Sequence, residues 1–159
     1  MIYEISGAAI PRSLRYADPI NYGCDEDNFP PLLAYAIAEN ETIIGELAGK
    51  WYASIVLSAD GGHELFQLTS SWPERWRDPY ENSLYAVYHF LSPAIEFWAQ
   101  ERGERGDMLI RCVAAEFNAG RGGAERGHAK GNVDLYTTDN YASRALENYH
   151  KLCSMVTSD

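Results

Sequence analysis

The run Pro30-Pro31-Leu32-Leu33-Ala34-Tyr35-Ala36-Ile37-Ala38 is apolar throughout and passes directly into Glu39-Asn40-Glu41-Thr42. It reads as one buried helix, and the rest of the chain has to be built around it. Asp27 or Asn28 can cap its start, and proline is tolerated in a first turn, where its missing N–H costs nothing. Leu33, Ile37 and Glu41 are spaced i, i+4, i+8 and so lie nearly in line on one face. That face begins apolar and ends in a carboxyl group. A carboxyl at the edge of an apolar wall is harder to ionise, which is the requirement for a general acid at neutral pH. Taken alone, a carboxylate at a helix end is more often only a solvated charge.

The remainder of the composition narrows the class. A chain of 159 residues fits one domain, residues 1–159, and 46% hydrophobic with 13% aromatic residues is enough for a real core. A net charge of −10 argues against nucleic acid and against anionic membrane surfaces as partners. No apolar run is long enough to span a bilayer, so no membrane insertion is expected. The stretch Met1 to Ile10 has no basic region ahead of its short apolar patch and does not read as a signal peptide. Cys24, Cys112 and Cys153 form an odd set without CxxC spacing, so reduced thiols are expected and a metal site is not.

Periodicity along the chain predicts mostly helix. A short helix is expected near Ile10 to Ala17, then the helix over residues 30–42. Trp51, Ala53, Ile55 and Leu57 share one parity and predict a strand. Asp60-Gly61-Gly62 is a turn signal, and a second short strand over His63 to Leu68 would complete a small hairpin. Thr69 to Pro73 looks like a helix entry. Asn82 to Leu91 is helical, and Ser92-Pro93 either kinks that helix or starts a new one running to about Arg102. A strongly apolar helix follows from Asp107 to Asn118, with Gly120 where a terminating glycine belongs. Residues 120–133 read as a glycine-rich loop, and Thr138 as the cap of a last helix through Tyr141, Ala145, Tyr149 and Leu152.

Several chemistries find no support. Gly120, Gly122, Gly123 and Gly127 follow a helix rather than a strand and lack Gly-Lys-Ser/Thr, so they are not a phosphate cradle. His63, His89, His128 and His150 show no ligand spacing. Ser70-Ser71 has no elbow glycines and is not a serine nucleophile. No cofactor is implied.

Three separated stretches remain: Ile37 to Thr42, Gly61 to Leu68, and Ala114 to Gly120 with its partner Tyr136 to Tyr149. Glu41-Thr42 stands like a Glu-Ser pair at a helix end, Leu65-Phe66-Gln67 like Leu-Met-Gln, and Phe117-Asn118-Ala119-Gly120 like Tyr-Asn-Ala-Gly. Thr137 to Ala142 resembles the start of a final helix that carries a tyrosine. In this order, over about residues 30 to 150, they resemble the goose-type lysozyme and soluble lytic transglycosylase superfamily. The resemblance implies a mainly α (α+β) lysozyme-like domain with a small β-hairpin beside the active-site cleft. It implies cleavage of β-1,4 bonds between N-acetylmuramic acid and N-acetylglucosamine, with the peptidoglycan glycan strand as partner.

In that reading Glu41 is the acid that protonates the leaving oxygen. Gln67 and Asn118 supply amides for sugar groups, and Tyr141 directs its hydroxyl at Glu41. Glu64 stands where the family has glycine and either narrows the cleft or adds a carboxylate. Phe117 stands where the family has tyrosine, which removes a hydroxyl near the sugar. Thr69 stands where goose-type enzymes carry an aspartate. Asp60 is the remaining candidate to position an attacking water, or else is only a turn aspartate. With it the enzyme is a hydrolase; without it the substrate's own 6-hydroxyl attacks and leaves the 1,6-anhydro ends of a lytic transglycosylase. A non-catalytic sugar-binding or structural descendant of the fold is the alternative that Glu64 and Phe117 favour. A chain of this kind, without a signal peptide, would be made in a host cytoplasm and reach the wall as a holin-released bacteriophage endolysin, on a virion, or as a secreted effector.

Asp60→Asn tests the hydrolase assignment. A hydrolase should lose most of its lytic rate, and mass spectrometry of the wild-type digest should show reducing ends only. Full activity of Asp60→Asn, or 1,6-anhydro ends, removes Asp60 from the mechanism.

Overall fold

The computed structural model describes residues 1–42, 65–68 and 78–157. The expected strand at Trp51–Leu57, the turn at Asp60, Glu64, and the helix entry at Thr69–Pro73 lie outside these residues, as does all of the expected hairpin but Leu65–Leu68. The described fold is mainly helical. Its helices are α1 (Ala17–Asp25), α2 (Pro31–Thr42), α3 (Pro79–Ala86), α4 (Ser92–Glu96), α5 (Gly106–Ala129) and α6 (Tyr141–Thr157). Two π-helical turns, Val87–Leu91 and Phe97–Glu101, follow α3 and α4.

α2 is the centre. Every residue from Leu32 to Ala38 is 0% exposed. A helix that is apolar all round has to be covered all round, and α1 and α6 both pack on it. The alternation of Ala34, Ala36 and Ala38 with Tyr35 and Ile37 leaves room for close neighbours. α5 packs on α6, and α3 on α1. Tyr35 reaches past α1 to donate its hydroxyl to the Arg15 carbonyl at 2.9 Å, so even its one polar atom is satisfied inside the protein.

α1 and α3 approach at Gly23. A Cβ built there would lie 2.6 Å from the Ser83 carbonyl carbon, so only glycine fits. Asn82, fully buried on the same helix as Ser83, accepts the Phe66 amide at 3.1 Å and ties residues 65–68 to α3. Asp78 caps α3 by accepting the Tyr80 amide, with Pro79 in the first turn.

Four sequence expectations are corrected. The helix expected near Ile10 to Ala17 instead begins at Ala17 and runs to Asp25. The cap position of α2 falls at Pro30, whose carbonyl accepts the Ala34 amide, rather than at Asp27 or Asn28; Asn28 sits in a left-handed turn at φ 51°. Residues 120–133 are not a loop: after a break at Gly120 (φ 76°, ψ 164°) the chain resumes as helix to Ala129. Buried Gly127 allows that helical segment to lie on the chain that follows, since a Cβ there would sit 2.5 Å from the Asn132 carbonyl oxygen. Lastly, Thr138 does not cap α6. Thr137 Oγ1 accepts the Tyr141 amide at 3.3 Å, and Asp134 accepts those of Ala142 and Ser143 at 2.7 and 3.1 Å.

At Ser92-Pro93 the backbone stays helical, passing from a π turn into α4. The Ser92 amide bonds the Val87 carbonyl five residues back. This widened turn makes room for the proline ring, which in a regular helix presses on the carbonyl four residues earlier.

Gly23→Ala should destabilise the fold by about 1–3 kcal/mol, the usual cost of forcing atoms into a close contact. A lowered urea midpoint with an unchanged transition slope is the expected result.

Candidate active site

The last three side chains of α2 are polar: Asn40 and Glu41 are held by α6, and Thr42 by its own helix and by Leu65. Asn40 donates to the Tyr141 carbonyl at 2.9 Å and accepts from Asn148 at 3.0 Å. Glu41 accepts the Tyr141 hydroxyl on Oε1 at 2.7 Å. Thr42 donates to the Ala38 carbonyl at 2.9 Å, with the Leu65 carbonyl at 3.4 Å. Asn148 also donates to the Ala36 carbonyl at 3.3 Å, which pins α6 along the last turns of α2.

The contacts continue around a ring. Phe66, next to Leu65, packs edge-on against Phe117 with ring centroids 6.2 Å apart. Asn118 accepts the Thr138 amide at 2.9 Å. Thr138 leads through Asp139 and Asn140, both left-handed at φ 50° and 54°, into Tyr141, which returns to Glu41. The described parts of the three stretches singled out in the sequence, residues 37–42, 65–68, and 114–120 with 136–149, are therefore linked by contacts. Two consecutive non-glycine residues in this conformation are costly, and such strain gathers at functional sites.

Tyr141 is 3% exposed. Burial, and then the charge and hydrogen bond of Glu41, hold its pKa well above the ordinary tyrosine value, with Arg144 opposing. Tyr141 is therefore the donor in its bond to Glu41 at any physiological pH. Glu41 itself is partly exposed, as are Gln67 and Asn118. Gln67 has a left-handed backbone at φ 48°, which turns the chain sharply beside the α2 terminus. Phe117, expected on the sugar path, also has a packing role, touching Phe90 (6.1 Å) as well as Phe66. Asp60 and Glu64 lie outside the described residues.

Support for the ring comes from behind it. Asp134 is 8% exposed and accepts the Thr137 and Ser143 hydroxyls at 2.7 and 2.6 Å besides the two α6 amides. Burial alone would raise its pKa; the hydrogen bonds from Ser143, Thr137, and the Ala142 and Ser143 amides outweigh burial and hold the carboxyl below its ordinary value. Glu116 is raised, chiefly by burial, although it accepts Trp98 Nε1 at 2.8 Å and Arg121 Nε at 2.9 Å. It braces α5 against the second π turn.

The three histidines among the described residues have structural partners: His128 faces Glu104 at 2.6 Å, His150 faces Asp107 at 3.1 Å, and His89 stacks on Tyr85; His63 lies outside them. Among the described residues no group of three or more histidine, cysteine or acidic side chains is placed to hold a metal ion, and no helix is long and apolar enough to cross a membrane.

Sequence reasoning missed Asn40, Asn148, Asp134 and Arg144. Asn148 follows Tyr141 by two turns and was legible as a polar residue on α6's apolar face. Asp134 carried no signal, because its bonds span a loop whose path no local pattern encodes.

No protein-family model matches the chain, and no curated protein matches its sequence at a significant level.

Because the folded-state pKa of Asp134 is depressed, its contribution to stability is present above the unfolded value and lost as pH falls through the folded value. Asp134→Asn should cost about 1–3 kcal/mol near neutrality, the range for breaking buried hydrogen bonds. The gap to wild type in urea midpoints should close as pH drops through the acid range. A gap independent of pH would show that the carboxylate's charge is not what holds α6.

Proposed function

We propose that the chain cleaves the glycan strand of peptidoglycan at its β-1,4 bonds, with Glu41 as general acid in a lysozyme-like fold. The observation that carries this reading is the bond from the buried Tyr141 hydroxyl to Glu41 at 2.7 Å, at the junction where Leu65-Phe66-Gln67 and Phe117-Asn118 also meet. The arrangement suits the task. Glycosidic cleavage needs a positioned proton donor beside an electron-poor sugar centre. Tyr141 holds Oε1 of Glu41 and so fixes the rotamer of the carboxyl that would protonate the leaving group. Gln67 and Asn118, both partly exposed, would supply amides for the sugar groups. Asp60, if it faces Glu41 across the cleft at about 6.5–9.5 Å, would position water for inverting hydrolysis.

Glu41→Gln keeps the shape and still accepts from Tyr141, but has no acidic proton to give. Turbidity assays on outer-membrane-permeabilised Gram-negative cells should show lysis reduced by at least about 10²-fold, the lower range for general acid catalysis. The circular dichroism spectrum should be unchanged. Tyr141→Phe should lose less, since it removes orientation and not the proton. Lysis by Glu41→Gln within tenfold of wild type would exclude Glu41 as the acid.

A further inference from the structure

The chain carries a net charge of −10, yet among the described residues three cations without a carboxylate partner lie on the stretch that leads into and past Tyr141; Arg105, also without one, lies apart on Tyr3. Between residues 102 and 144, Arg102, Arg111 and Arg121 pair with Glu125, Asp134 and Glu116. Arg126, Lys130 and Arg144 have no carboxylate within ion-pair distance among the described residues. All three are instead laid on the two tyrosines that bracket the Thr137–Asn140 turn. Arg126 and Lys130 lie 5.2 and 5.5 Å from the Tyr136 ring centroid, and Lys130 donates to the Tyr136 hydroxyl at 2.9 Å. Arg144 lies 5.7 Å from the centroid of the Tyr141 ring, whose hydroxyl holds Glu41.

The cations are held in place while keeping donors free. Arg144 Nε bonds the Asp139 carbonyl at 2.8 Å, with Nη2 3.5 Å from that of Thr138. Its Nη1 has no partner among the described residues. Tyr136 is 43% exposed, so the Arg126–Lys130 pair sits at the surface. Guanidinium groups stacked on rings lose little further freedom when they bind a carboxylate. In so acidic a chain, such a rim would offset the repulsion that an anionic substrate meets.

We propose that Arg126, Lys130 and Arg144 form an anion-receiving rim that takes the peptide-borne carboxylates of peptidoglycan while its glycan lies at Glu41. This rests on the glycan-cleaving reading and adds to it the part of the substrate that is recognised. A bare polysaccharide offers no such charge, so the rim would make the chain selective for peptide-bearing strands. Ion pairs at this exposure are screened by salt within about 10 Å at 0.1 M, so the selectivity should fade as salt rises.

The test uses Gram-negative sacculi, whose glycan carries no phosphate polymer, in two forms: untreated, and with carboxylates converted to amides by carbodiimide and ammonia. Co-sedimentation and lysis are measured separately for wild type and for Arg126→Gln/Lys130→Gln. Wild type should bind and cleave untreated sacculi about fivefold better than amidated ones, the order expected from two exposed ion pairs. The double variant, and independently Arg144→Gln, should shrink that ratio towards one. Equal action of wild type on both forms, or an undiminished ratio in both variants, overturns the rim while leaving the catalytic reading in place. Carboxylate-dependent binding that the variants lose, without lysis by wild type, upholds the rim and overturns the catalytic reading.

Discussion

A helix without a solvent face governs this structure. α2 is covered on every side, so the polar residues at its C-terminal end must find partners inside the protein or be paid for in desolvation. Asn40, Glu41 and Thr42 find them in Tyr141, Asn148 and Leu65. Those bonds determine where α6 begins and where residues 65–68 attach. The site is therefore not an addition to the fold. It is how the most buried helix ends.

The same constraint explains the arrangement behind it. α6 has to start where Tyr141 can offer both its carbonyl and its hydroxyl to α2. Its first amides then point at chain that no helix covers, and Asp134 with Thr137 supplies the acceptors. Placing negative charge at a helix N-terminus is favourable twice over, through hydrogen bonds and through the helix dipole. The left-handed pair Asp139-Asn140 is the geometric consequence. The chain has to reverse within a few residues between Asn118 and Glu41, and asparagine and aspartate tolerate that conformation better than other non-glycine residues.

How much of this was legible in the sequence follows from the range of the interactions. α2, the apolar start of α5, and α6 are written in local periodicity and were read with small boundary errors. Gly120 was read correctly as a break, but the helix beyond it was not. Its glycines suggested a loop, whereas Gly127 is there so that helix and following chain can touch. Pro93 left open a kink or a restart, and the π turn that accommodates it depends on a shift of bonding register no residue pattern announces. At the site, Glu41, Phe117, Asn118 and Tyr141 were visible because they stand in recognisable order. Asp134 and Arg144 were not, since an aspartate in a loop and an arginine on a helix look the same in sequence whether they are solvated or hold a turn.

A tension within the site bears on the proposed chemistry. A hydrogen bond donated to a carboxylate favours its charged form, and Tyr141, kept protonated by burial, can only donate to Glu41. A general acid must instead hold its proton until the leaving group needs it. The partly exposed position of Glu41 resolves this. In the proposed reaction a sugar lying over this partly exposed carboxyl would displace the water that reaches it. Desolvation of that kind would favour the neutral acid when the leaving group needs its proton. Tyr141 would serve geometry more than acidity, holding the carboxyl of Glu41 in one orientation. Under this account the acid is tuned by the substrate's arrival, and a ligand too short to cover Glu41 would bind without being cleaved.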